Sequence, residues 1–116
     1  MKSLPNFDEL IAEANTCGLY ENLIHQLNKD LLYANVDLEF DSEILPQSLK
    51  YMLQDTVYQL INTCFAEYLS LLYIIDVPEH KVKQLDGSNA FKLSEQVTFL
   101  ILLREWQKVW YKSQYS

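Results

Sequence analysis

Between Pro46 and Pro78 the chain runs 31 residues without a glycine or a proline. Read as one helix, that segment reaches about 46 Å, whereas a compact domain of this length, with a radius of gyration of about 13 Å, is only about 35 Å across. Such a helix is either kinked or overhangs its own domain, and an overhang needs a partner to cover it. Two glycines and three prolines in 116 residues leave few sites for tight turns, so a sheet of short hairpin-linked strands is disfavoured. At 49% apolar residues the chain can bury one core but not two. A single all-α domain over residues 1–116 follows: an antiparallel bundle of four to five helices, with residues 46–76 as one long central helix.

Asn6 with Glu9 three residues on has capping-box spacing, which predicts a short helix ending before Gly18. Tyr20, Leu23, Ile24, Leu27, Leu31 and Ala34 recur at helical spacing and predict an amphipathic helix over 19–35. From Val36 to Asp41 the pattern alternates strictly, Val-Asp-Leu-Glu-Phe-Asp. With no partner strand in sight, this reads as an extended connection that lays Val36, Leu38 and Phe40 along the bundle. Pro46 suits the first turn of the long helix. One core seam there is Leu53, Val57, Leu60, Cys64, Tyr68, Leu71 and Ile75, and a second lies about 100° round the cylinder at Tyr51, Tyr58, Phe65, Leu69 and Leu72. Asp76 with Glu79 repeats the capping-box spacing and predicts a short helix over 77–85. The last helix is expected from residue 88 or 89 to about 112, with a core stripe of Phe99, Leu103, Trp106 and Trp110 and a spare face carrying Val97 and Ile101.

The net charge of −7 is confined to the first half. Residues 1–58 hold ten acids against three lysines, and 59–116 hold six of each sign. A phosphate backbone needs a surplus of Lys and Arg, so nucleic-acid binding is not expected. Cys64 to Ile75, the most apolar run, is too short to span a membrane and contains Glu67 and Ser70. Cys17 and Cys64 match no metal-ligand spacing and read as packed free thiols, and no signal-peptide pattern opens the sequence, so a cytoplasmic location is expected.

Chemistry-bearing patterns are sparse. Asp37, Glu39, Asp41 and Glu43 alternate like calcium ligands, but no glycine between Gly18 and Gly87 supplies the turn such a loop needs, so neither metal nor cofactor is expected. No nucleophile elbow, phosphate loop or dinucleotide fingerprint is present, and the reading leans away from an enzyme. Glu67, on the margin of the first seam, is the candidate buried polar group. Arg104, Lys108 and Lys112 form a basic strip suited to a phosphate, an acidic partner or the acid-rich first half.

Two functions are therefore carried forward. The first is a protein-interaction module that self-associates as a homodimer or docks another protein through Tyr51, Tyr58, Phe65, Leu72, Val97 and Ile101, where aromatic bodies suit surfaces that alternate between water and a partner. The second is a ligand-binding or enzymatic bundle, with Glu67 and tyrosines in an aromatic cavity lined by Trp106 and Trp110.

Overall fold

The computed structural model describes residues 1–115 and contains no strand among them. Six helices follow in order: α1 (Phe7–Thr16), α2 (Tyr20–Tyr33), α3 (Pro46–Thr63), α4 (Phe65–Ile75), α5 (Glu79–Lys83) and α6 (Ala90–Tyr115). The expected all-α bundle is present, with one helix more than foreseen because the long central segment is broken.

That break is at Cys64, where φ −151° and ψ 73° leave the helical region. The residues just before it account for the weakness: Asn62 donates its side-chain amide to the Tyr58 carbonyl at 2.9 Å, and the Thr63 hydroxyl donates to the Gln59 carbonyl at 2.7 Å. Side chains that compete for carbonyls one turn back bend helices, and an Asn-Thr-Cys run has poor helix propensity. The segment 46–76 is thus two rods, and the overhang inferred from its length does not arise. The longest rod is α6, whose 26 residues extend about 38 Å along a molecule 37 Å in its longest dimension.

Caps set the other boundaries. The Asn6 side chain accepts the Glu9 N–H at 2.9 Å, and Asn89 accepts that of Lys92 at 3.0 Å to start α6. Gly18 has φ +68°, the left-handed turn expected after α1. Asp76 does not cap α5. It also adopts a left-handed conformation, at φ 68°, and closes α4 by donating its N–H to the Leu72 and Tyr73 carbonyls.

α6 is the central element and packs on α1, α2, α3 and α4. Its enclosed side chains are Val97, Thr98, Ile101, Leu102, Glu105, Trp106 and Val109, together with Ser94. This face lies roughly 120° round the helix from the expected stripe of Phe99, Leu103, Trp106 and Trp110; of those four only Trp106 is fully enclosed. Val97 and Ile101, expected on a spare surface, are each 0% exposed. By contrast the first seam of α3 and α4 is placed as expected, with Leu53, Val57, Tyr68, Leu71 and Ile75 buried and Leu60 packed against them.

The connection 34–45 alternates in burial as its sequence does, ending on the enclosed ring of Phe40. Asn28 on α2 holds it by donating to the Phe40 carbonyl at 2.8 Å and accepting the Phe40 N–H at 2.9 Å. The Tyr20 hydroxyl donates to the Ile44 carbonyl at 2.6 Å further along. Asn28→Ala removes the partners of both backbone groups of Phe40, so we expect a loss of about 1 to 3 kcal/mol, read as a lower urea midpoint with an unchanged slope. An unshifted midpoint would show that this clamp is dispensable. Among the described residues no helix is long and apolar enough to cross a membrane.

Candidate functional site

Three features could carry function: a buried ionic cluster, a polar groove beside it, and an exposed aromatic strip on α4. The cluster is built by α2 and α6. Asp30 follows Leu27 on the buried face of α2, and Glu105 sits at the centre of the buried face of α6, four residues after Ile101 and four before Val109. Lys108, one turn beyond Glu105, reaches back with its ammonium 2.7 Å from Asp30 Oδ2 and 3.3 Å from Glu105 Oε1. Gln26, one turn before Asp30, donates its amide to both Asp30 oxygens at 3.3 Å.

Two carboxyl groups and one ammonium are electroneutral only if one carboxyl keeps its proton. Glu105 is the one that does. Burial and then the neighbouring Asp30 push its pKa up to about 9, with Lys108 opposing. Burial would raise Asp30 too, but hydrogen bonding to Glu105 together with Lys108 and Gln26 holds its carboxyl below the ordinary value. Lys108 lies within ion-pair distance of Glu105 but off hydrogen-bond alignment, and neither Glu105 oxygen has an acceptor's partner. The protonated acid resolves this, since its O–H becomes a donor to the Asp30 carboxylate. Glu105 is 0% exposed, and through Lys108 and Asp30 the cluster ties α6 to α2.

Beside the cluster, α2 and α6 flank an open groove of about 340 Å³. Its floor is Leu19 and Val109, and its walls carry Asn22, His25, Gln26 and Lys29 on one side and Lys112 and Ser113 on the other. The basic strip expected along α6 is thereby divided three ways. Arg104 donates to the Asp76 carbonyl at 3.0 Å and to its carboxylate at 3.1 Å, so it fixes the α4 terminus. Lys108 belongs to the buried cluster, and Lys112 alone opens on the groove.

The aromatic strip lies on α4. Phe65, Leu69 and Tyr73, at i, i+4 and i+8 and so on one face, are 53%, 51% and 83% exposed. Leu69 and Tyr73 border a cleft of about 450 Å³ completed by Leu72, Val77, Pro78 and Val82 and rimmed by Asp76, Glu79 and Lys83. Of the candidate contact residues, Phe65 and Tyr51 are exposed and Tyr58 is half-buried, edge-on to Phe91 with centroids 6.2 Å apart. Tyr51 and Tyr58 share a smaller cleft with Gln54, Asp55 and Phe91. Leu72 is buried in the floor of the α4 cleft, and Val97 and Ile101 are enclosed, so these three are removed as contact residues.

Glu67 is exposed on the first turn of α4. The groups that a buried carboxylate there could have used are engaged elsewhere, Tyr20 with Ile44 and Arg104 with Asp76, while Tyr33 is exposed. Trp106 is enclosed in the core and Trp110 packs edge-on to Tyr111 at 5.2 Å, so these tryptophans form no aromatic cavity around Glu67. Cys17 is exposed rather than packed, and both cysteines are free. The buried acid that sequence reading missed is Glu105. Its spacing of four from both Ile101 and Val109, with Lys108 one turn on, was the available signal. No protein family model matches the chain, and no curated protein or solved structure is significantly similar to it.

Proposed function

We propose that this protein is a non-enzymatic interaction module of the cytoplasm that self-associates as a homodimer through the exposed face of α4. The observation that carries the reading is the run of Phe65, Leu69 and Tyr73, each more than half exposed, beside an apolar cleft. Single exposed apolar residues are ordinary, but three large ones in register on one helix face next to a cleft form the kind of patch that soluble monomers seldom leave uncovered. An aromatic side chain there can enter the cleft of a second copy, burying Tyr73 against Leu72 and Val82. The rim carries both signs, Glu79 paired with Lys83 at 3.1 Å, so a two-fold contact can match charges instead of opposing them. The two free cysteines suit a reducing compartment. The centre of the surface thus shifts along from Tyr51 and Tyr58 toward Leu69 and Tyr73, with Phe65 common to both.

Sedimentation velocity on the full chain at about 100 µM checks this. A dimer is expected for the native protein and a monomer for Leu69→Glu with Tyr73→Glu, whose helicity by circular dichroism should be unchanged because both sites are exposed. A native monomer at that concentration, or a dimer indifferent to both charges, overturns the reading.

A further inference from the structure

The groove between α2 and α6 has a composition unlike the rest of this surface. The chain has 16 acids against nine Lys and Arg, yet among the described residues no carboxylate side chain lines this groove, whereas Lys29 and Lys112 stand on opposite walls. None of the four ion pairs among the described residues includes either lysine. Asp30, next to Lys29 in sequence, is held by Lys108 and Gln26, and the oxygens of Glu105 are enclosed. Lys29 also borders the neighbouring cleft that contains Asp37 and Glu39, which leaves Lys112 as the cation wholly committed to the groove.

We propose that the α2–α6 groove binds the phosphate group of a small phosphorylated molecule, held between Lys29 and Lys112 with Asn22, His25 and Ser113 as further hydrogen-bonding groups and the organic remainder against Leu19 and Val109. A phosphate is larger than a single carboxylate and accepts from several directions at once, as cations on facing walls require. Lysine ammoniums serve it as point charges without the planar fork a carboxylate matches best. The protein's overall negative charge does not forbid this, because at physiological ionic strength charges beyond about 8 Å are largely screened and the local lysines decide. The organic remainder needs an apolar floor, and the groove has one.

The test is a proton–nitrogen NMR titration of the full chain with inorganic phosphate and, separately, with glycerol 3-phosphate, at ionic strength held constant with chloride. Amide shifts are expected to saturate on residues 19–29, at the start of and along α2, and 109–113 of α6, with the organic phosphate tighter than the inorganic one. Lys112→Ala and Lys29→Ala should each weaken binding about tenfold or more, the loss of one charge-assisted hydrogen bond, while Lys92→Ala at the far end of α6 leaves it unchanged. Shifts scattered over all the lysines, or lysine variants that titrate like the native chain, overturn the proposal. Tighter binding of succinate than of either phosphate at the same residues also overturns it, since the site would then select carboxylates.

Discussion

Glu105→Gln is expected to raise the stability of the fold at pH 8 and to flatten its decline between about pH 5 and pH 9. The folded chain holds the Glu105 proton to about pH 9, whereas the ordinary value in an unfolded chain is 4.5. A pKa raised on folding means the native state binds more protons than the unfolded state throughout that window. The stabilising contribution is therefore complete below the unfolded pKa and is lost as pH rises through the folded one. Each unit of difference corresponds to about 1.4 kcal/mol, so the loss accumulates to several kcal/mol by the top of the window. Asp30 acts with the opposite sign at lower pH: its depressed pKa stabilises above the ordinary carboxylate range and is lost as pH falls through its folded value. Stability should accordingly peak in mildly acidic solution.

Glutamine preserves the shape of the protonated acid, with an amide N–H to donate to Asp30 and a carbonyl oxygen toward Lys108, and it has no proton to give up. Thermal unfolding of both proteins at intervals from pH 5 to pH 9 is the measurement. If Glu105→Gln melted lower than the native chain at pH 8, Glu105 would have to be an ionised partner of Lys108, and the assignment of the proton would be wrong. Lys108→Met gives an independent check, since it strands the Asp30 carboxylate in a site where only 8% of that side chain meets solvent. Breaking a buried pair from one side costs about 3 to 5 kcal/mol.

The same cluster explains which parts of the fold were legible in the sequence. Where apolar side chains occupy the middle of a buried face, spacing located it correctly: Leu23, Ile24, Leu27 and Leu31 on α2, and the seam from Leu53 to Ile75 on α3 and α4. On α6 the middle of the buried face is Ser94, Thr98 and Glu105, so hydrophobic spacing drew the inferred face toward Phe99, Leu103 and Trp110 at its edge. The misplaced phase then presented Val97 and Ile101 as spare surface and hid Glu105. The break at Cys64 escaped for a different reason, because it comes from side chains bonding to their own helix at Asn62 and Thr63 rather than from the usual glycine or proline. The cap written in a local residue, Asn6, was readable and the start of α6 was placed to within a residue, whereas Asp76 takes a left-handed terminus where it meets Arg104 from α6, a contact 28 residues away that local spacing does not reveal.

The phase of α6 makes its own prediction, in which two tryptophans one turn apart should behave differently. Trp106 is the largest fully enclosed side chain, while Trp110 is partly exposed and leans on Tyr111. Trp106→Ala removes the whole ring from a packed interior that can collapse only in part, and a loss of about 3 to 5 kcal/mol is expected. Against a total stability of about 5 to 15 kcal/mol, that is a large fraction. Trp110→Ala gives up contact on one side only and should cost about half as much or less. Urea unfolding followed at 222 nm separates the two variants. Equal losses would place both rings on one core stripe and restore the sequence-based phase, returning Val97 and Ile101 to the surface. A fluorescence arm that needs no unfolding agrees in sign: Trp110→Phe leaves Trp106 as the sole tryptophan, whose selectively excited emission should be blue-shifted and inaccessible to iodide, since a ring with no exposed surface meets neither water nor quencher.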